Sequence, residues 1–204
     1  MAQDPTDDAA TLAFYDREAQ VYVAREQTAD PAVGRFVARL APGATVLELG
    51  CGGGRDAEAM IKAGLKVTAT DGSAAMAGQA EARLGVLVRL MRFAELEDVD
   101  AFDGVWANAS LLHAPAEALP DILARVRRAL RPGGLFCASF KAGDGPGRDS
   151  LGRYYNFPSA EGLERDFRTA GPWSELVMET GTGGGYDGVQ RQWLRAWAVA
   201  GSGT

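Results

Sequence analysis

Apolar positions along the chain switch repeatedly between two spacings, and the switching predicts the fold. Over residues 6–27, Leu12, Tyr15, Ala19 and Tyr22 recur three or four apart, the spacing of one helix face, with Asp7 and Asp8 where a helix dipole favours acids. A second helix is expected over 31–40, stopped by Pro42-Gly43. Residues 45–49 form a short apolar run that leads straight into glycines, as a buried strand does, and 55–63 follow as a helix ended by Gly64. The unit repeats with a strand over 65–70 and a helix from Ser73, a suitable N-cap, to about 83. Further strands are expected over 86–91, 102–107, 135–140, 176–179 and 193–199, and helices over 120–130 and 159–170. Strands alternating with helices predict an α/β fold with a doubly wound, mostly parallel sheet. One domain spans 1–204 in this reading, with 1–40 a helical cap and 45–200 the sheet core.

Two glycine-rich stretches, 141–158 and 181–192, read as long loops leaving the carboxyl edge of the sheet, where open α/β folds bind ligands. The first is expected to act as a lid, with Arg153 pairing an acceptor anion and Tyr154 and Tyr155 turning one ring inward and one outward. Trp193 and Trp197 share a face of the last strand and are assigned to the core.

Composition narrows the classes. Hydrophobic residues make up 47% of the chain and charged residues 24%, and no apolar run is long enough to span a bilayer, so no membrane partner is expected. Residues 1–8 carry acids and a proline where a secretory leader needs basic and then apolar residues, which points to the cytoplasm. The two cysteines, Cys51 and Cys137, read as reduced, and one histidine leaves no metal cluster. A net charge of −6 argues against a nucleic-acid partner, and Arg125, Arg127, Arg128 and Arg131 fall on the wet face of a helix. A monomer or homodimer is expected.

The densest chemistry lies in Glu48-Leu49-Gly50-Cys51-Gly52-Gly53-Gly54, between a strand and a helix. Glycines let a ligand approach the backbone, and the helix start offers free amides. Gly52-x-Gly54-x-x-Ala57 also satisfies the nicotinamide and flavin fingerprint, and Asp71 after the next strand suits the ribose hydroxyls of either ligand class. Glu48 separates them: a carboxylate beside the loop repels a pyrophosphate and attracts a cationic ligand.

Taken together, residues 46–56, Asp71 and Leu130-Arg131-Pro132-Gly133-Gly134 resemble the class I S-adenosylmethionine-dependent methyltransferases. The resemblance covers roughly 15–140. It implies a seven-stranded sheet whose last strand is antiparallel between strands five and six, with S-adenosylmethionine as cofactor. It also implies that Gly50 and Gly52, with Cys51, Arg55 and Glu48 around them, line the methionine moiety, that Asp71 and Gly72 meet the ribose, and that the segment Phe93-Ala94-Glu95 lies beside adenine, where Glu95 could accept from the exocyclic amine. The segment from Trp106 to Pro115, which holds Asn108 and His113, lines the sulfonium and the acceptor in that family. With Ser139-Phe140-Lys141 and Gly152-Arg153-Tyr154-Tyr155 it is similar to a bacterial branch acting on small molecules, so a small-molecule acceptor is implied.

His113 is the candidate general base, since an unperturbed imidazole titrates near neutrality. Tyr15 and Tyr22 either staple the first helix to the sheet or cover the ligands, Tyr22 over the cofactor and Tyr15 over the acceptor. Two other readings stay open on the sequence: an NAD(P)-dependent oxidoreductase, which lacks an evident Tyr-x-x-x-Lys set, and a non-catalytic S-adenosylmethionine-binding module, distinguished by absence of turnover.

Overall fold

The computed structural model describes residues 6–25 and 28–201; residues 1–5, part of the leader argument, and Gln27, the expected end of the first helix, lie outside them. In chain order come α1 (Ala9–Arg25), α2 (Ala32–Val37), β1 (Thr45–Leu49), α3 (Arg55–Lys62), β2 (Lys66–Asp71), α4 (Ala74–Leu84), β3 (Arg89–Leu90), β4 (Phe102–Ala107), α5 (Leu119–Ala129) and β5 (Leu130–Lys141). They are followed by β6 (Gly147–Arg148), β7 (Tyr154–Tyr155), α6 (Ala160–Ala170), β8 (Trp173–Gly184) and β9 (Gln190–Ala200). The main sheet runs β3-β2-β1-β4-β5-β9-β8. Its first five strands pair parallel, and β9 is antiparallel to both β5 and β8, the arrangement the resemblance implied.

Alternation along the central strands feeds two cores. Val46, Trp106, Cys137 and Trp197 pack with Phe36 of α2 and Met60 of α3. Leu47, Leu49, Val105, Phe136 and Ala138 pack on the other face with Ile122, Leu123 and Val126 of α5 and Phe167 of α6. Burial of both faces is what makes these strands read as continuous apolar runs. No helix among the described residues is long and apolar enough to cross a membrane.

Three expectations need correction. The strand over 86–91 shrinks to two residues, because it sits at the sheet edge and pairs only with Thr70 and Asp71 while Leu87 stands 89% exposed. The loop over 181–192 is mostly the continuation of the β8–β9 hairpin, whose pairing runs out to Gly184↔Gln190. A Cβ on Gly183 would lie 3.2 Å from the Trp193 ring, so the glycine lets that ring lie flat across the strand. The loop over 141–158 holds the small β6–β7 hairpin.

The arginine run is also more engaged than a wet face requires. Arg125 and Arg128 both donate to the Leu96 carbonyl, Arg127 to the Pro172 and Gly201 carbonyls, and Arg131 to Asp103 and Thr45.

Candidate active site

β1 delivers the chain to the carboxyl edge of the sheet, where it must turn at once to start α3. Gly50 turns it at φ +72°, and a Cβ there would lie 2.6 Å from that of Ser110, so no other residue fits. Gly54 caps α3. The loop is held by its neighbour strand: Cys51 N donates to the Thr70 carbonyl and Gly52 N to Asp71 Oδ2 at 2.8 Å. Asp71 Oδ1 accepts from Ser73 N, and Ser73 itself caps α4. Asp71 is therefore both a turn organiser and a wall of the pocket. Burial raises its carboxyl to about pH 6.

Glu48, on β1 beneath the loop, is 3% exposed, and its Oε2 has no hydrogen-bond partner. Burial, then the nearby carboxylates of Asp56 and Asp71, push its pKa well above the usual range. An orphaned buried carboxylate beside two more acids is costly unless a cation meets it. The donor set thus fits a ligand with an ammonium or sulfonium centre and does not fit a pyrophosphate.

Asp56, to which the sequence reading gave no role of its own, ties this wall together. Its carboxylate accepts from Trp106 Nε1 (2.9 Å), Asn108 Nδ2 (3.2 Å) and Asp30 N (2.9 Å), and Arg55 Nε lies 3.7 Å away. Asn108 Oδ1 accepts in turn from Ser139 Oγ. Glu48, Gly50, Cys51, Gly52, Arg55, Asp71, Gly72, Asn108 and Tyr22 all border one pocket, which the structure closes with Leu12, Met76, Met91 and Phe93. Ala94 and Glu95 do not border it, a correction: the Glu95 carboxylate turns back to accept from Arg92 N and caps a single helical turn. Phe93, of the same expected segment, does border the pocket.

Beside this pocket opens a cleft of about 770 Å³, which shares Tyr15, Tyr22, Arg55, Asn108, Ala109 and His113 with it. Tyr15, Tyr22, Tyr155, Tyr186 and Trp193 supply aromatic walls. Tyr22 stacks on Tyr186, with centroids 4.5 Å apart, so α1 meets the tip of the β8–β9 hairpin across the opening. Trp197 is core as expected, but Trp193 lines the cleft. Tyr186, in a glycine-rich stretch, was missed although an aromatic among glycines is itself a signal.

His113 is placed at the shared wall. Its Nδ1 lies 2.6 Å from the Tyr154 carbonyl, which can only accept, so Nδ1 carries the hydrogen and Nε2 accepts the Tyr15 hydroxyl at 2.8 Å. Burial, with Arg153 and Lys141 nearby, lowers its pKa to about 3. The expectation of a base titrating near neutrality is therefore corrected.

Arg153 is also corrected. It is 1% exposed and paired with Asp149 through Nε and Nη2, and its Nη1 donates to the Tyr15 hydroxyl. Three of its five N–H groups are engaged in this way, and the side chain, held by Asp149, still borders the cleft. Tyr155 faces the cleft, whereas Tyr154 turns outward and accepts from Ala116 N, as the alternating pair predicted.

Residues 46–134 match the family model of a methyltransferase domain. Among solved structures the chain is similar to the Burkholderia thailandensis 1,6-didemethyltoxoflavin N1-methyltransferase, solved with 1,6-didemethyltoxoflavin and S-adenosylhomocysteine. The identity is 27%, the TM-score 0.72, and the match covers 93% of this chain and 85% of that one. A Methanosarcina mazei S-adenosylmethionine-dependent methyltransferase is 16% identical, with TM-score 0.75 over 87% of this chain and 100% of that one. Haemonchus contortus phosphoethanolamine N-methyltransferase 2, in complex with S-adenosylmethionine, is 19% identical, with TM-score 0.70 over 84% and 52%. The latter two share the fold. Among curated proteins none matches. Fold, family model and pocket favour S-adenosylmethionine over the nicotinamide reading of the glycine fingerprint: residues 46–134 form a methyltransferase domain, and the chain has the fold of S-adenosylmethionine-dependent methyltransferases.

Proposed function

We propose that the methyl acceptor is a small planar molecule that lies in the aromatic cleft, methylated at nitrogen or oxygen. The observation that carries this is the cleft itself, which has the size of small-molecule sites and is walled by Tyr15, Tyr155, Tyr186 and Trp193 next to the acid-lined pocket. Flat rings select flat ligands. The acceptor of the Burkholderia relative, 1,6-didemethyltoxoflavin, supports the choice. The acidic chain and its engaged arginines argue against a nucleic-acid acceptor.

When bound, S-adenosylmethionine supplies a methyl group already activated on a sulfonium, ready for in-line displacement. The chain's residues then have to hold, align and keep out water, effects that lower a barrier by roughly 7–11 kcal/mol. Glu48 would hold the ammonium end, the backbone of Gly50 and Gly52 would take the methionine moiety with Cys51 and Arg55 beside it, and Asp71 and Gly72 would hold the ribose. Leu12, Met76 and Phe93 would receive the adenine. Asn108, fixed by Asp56 and Ser139, stands at the border with the cleft.

His113 acts through Tyr15. With its pKa held near 3 it does not keep an acceptor's proton at neutral pH, but its Nε2 lone pair fixes the direction of the Tyr15 hydroxyl. Arg153 holds the same oxygen from the other side, so Tyr15 presents a set hydrogen-bonding oxygen at the mouth between pocket and cleft. His113 is a positioning residue in this reading.

Transfer of tritium from methyl-labelled S-adenosylmethionine tests the proposal, offered against 1,6-didemethyltoxoflavin, a panel of hydroxylated and N–H heterocycles, bulk RNA, DNA and protein. Label is expected in planar small molecules. Label confined to a macromolecule would overturn the reading.

A further inference from the structure

Lys141 closes β5 and lies on the same face as Ser139, two residues before it, which holds Asn108 at the border of the cofactor pocket. Two strand residues carry it roughly 7 Å further out, into the cleft. It is 2% exposed, yet its Nζ has no hydrogen-bond partner. Asp187 Oδ1, at the hairpin tip, is 3.7 Å away, beyond hydrogen-bonding distance, and the Tyr155 ring centroid lies 4.2 Å below the ammonium.

The charges around it do not cancel. Lys141, Arg153 and Arg191 face Asp149 and Asp187, three cations against two carboxylates, and Arg153 is already satisfied by Asp149 and Tyr15. Within this group one positive charge is left over, and the Lys141 amine makes no hydrogen bond at the wall of an aromatic cleft, where burial lowers its pKa. Leaving such a group unmet costs free energy, and a bound anion removes the cost.

We propose that Lys141 is the acceptor-recognition residue and that the acceptor is a planar aromatic or heteroaromatic monoanion, its anionic oxygen seated on Lys141 Nζ. The proposal rests on the reading of the cleft as the acceptor site and adds the charge of the ligand and the residue that selects it. Tyr155 and Trp193 form the flat walls below and beside that oxygen, and the distance from Ser139 to Lys141 leaves room for a ring between the anionic oxygen and the methylated atom. Asp187 holds the ammonium from behind.

The test uses the purified full chain and a probe pair differing in charge alone, 2-naphthoate and 2-naphthamide. Affinities are measured by calorimetry for wild type, Lys141→Met and Lys141→Arg, each with and without S-adenosylhomocysteine, and melting curves confirm the fold. Wild type should prefer the anion by about tenfold or more, the scale of a hydrogen bond to a charged group. Lys141→Met should lose the preference and Lys141→Arg should keep it, with S-adenosylhomocysteine affinity unchanged in both. Naphthoate binding that is absent or no tighter than naphthamide in wild type, or a preference that survives Lys141→Met, overturns the proposal. Failure of S-adenosylhomocysteine to bind wild type would instead strike the cofactor site, and the probe pair would still decide on Lys141.

Discussion

The pocket under β1 and the cleft beside it share a wall at Asn108 and His113 but differ in charge and in how they are built. The pocket gathers Glu48, Asp56 and Asp71, and one carboxylate oxygen there has no partner. The cleft gathers aromatic rings and Lys141, whose Nζ makes no hydrogen bond and faces Asp187 at 3.7 Å. Each region has a buried ionisable group with an open hydrogen-bonding position, a carboxyl suited to a cationic donor on one side and an amine suited to an anionic acceptor on the other. The difference teaches that the site separates its two ligands electrostatically before contact geometry does so.

The largest effect should come from cutting the cleft's support. Arg153→Ala leaves Asp149 buried without its partner and should cost about 3–5 kcal/mol in denaturant unfolding. A loss under about 1 kcal/mol would mean that Arg153 is free after all, and the comparison would need redrawing.

Next is Glu48→Gln. S-adenosylhomocysteine affinity should fall by about 1.5–3 kcal/mol, while the chain without ligand becomes more stable because a buried acid is gone. Unchanged naphthoate binding in the same variant would sharpen the division between the two regions. Parallel losses of both ligands would break it.

Tyr186→Ala should be smaller, about 0.5–1.5 kcal/mol for the lost stack on Tyr22 beyond its area. It should raise the acceptor KM and leave S-adenosylhomocysteine affinity alone. A pure kcat effect would place Tyr186 elsewhere in the cycle.

The last effect is pH-dependent and confined to the window between pH 3.8 and about 6. Asp71 has its pKa raised from 3.8 to about 6, so its contribution to stability is fully present below pH 3.8 and is lost as pH rises through about 6. Melting temperatures of the ligand-free chain should show this slope, and Asp71→Asn should flatten it. A slope of opposite sign would mean that the carboxylate is stabilised in the folded chain.

Why the pocket was legible and the cleft was not follows from chain distance. Glu48, the glycines and Asp71 lie on two neighbouring strand–turn–helix units whose strands pair directly, so a local pattern along the chain carries over into space. Lys141, Tyr155, Tyr186 and Trp193 come together only after β5, the β6–β7 hairpin and the β8–β9 hairpin have packed. Glycines misled the reading twice there: those over 181–185 read as loop, whereas Gly183 serves a strand by leaving space for Trp193. Arg153 looked like a ligand clamp because no pattern in the sequence shows that Asp149 folds back onto it. Within the expected segment Phe93-Ala94-Glu95, Glu95 looked like a hydrogen-bond partner for a ligand because its backbone cap cannot be seen in the sequence, and it is Phe93 that borders the pocket.

Proton release on cofactor binding tests the central claim most directly. Glu48, held well above the usual carboxylate range without ligand, must ionise to face the ammonium group. Calorimetric titration with S-adenosylhomocysteine, in buffers of different ionisation enthalpy, should therefore show net proton release in wild type that is reduced in Glu48→Gln. Binding without proton release, or release that persists unchanged in Glu48→Gln, would contradict the account.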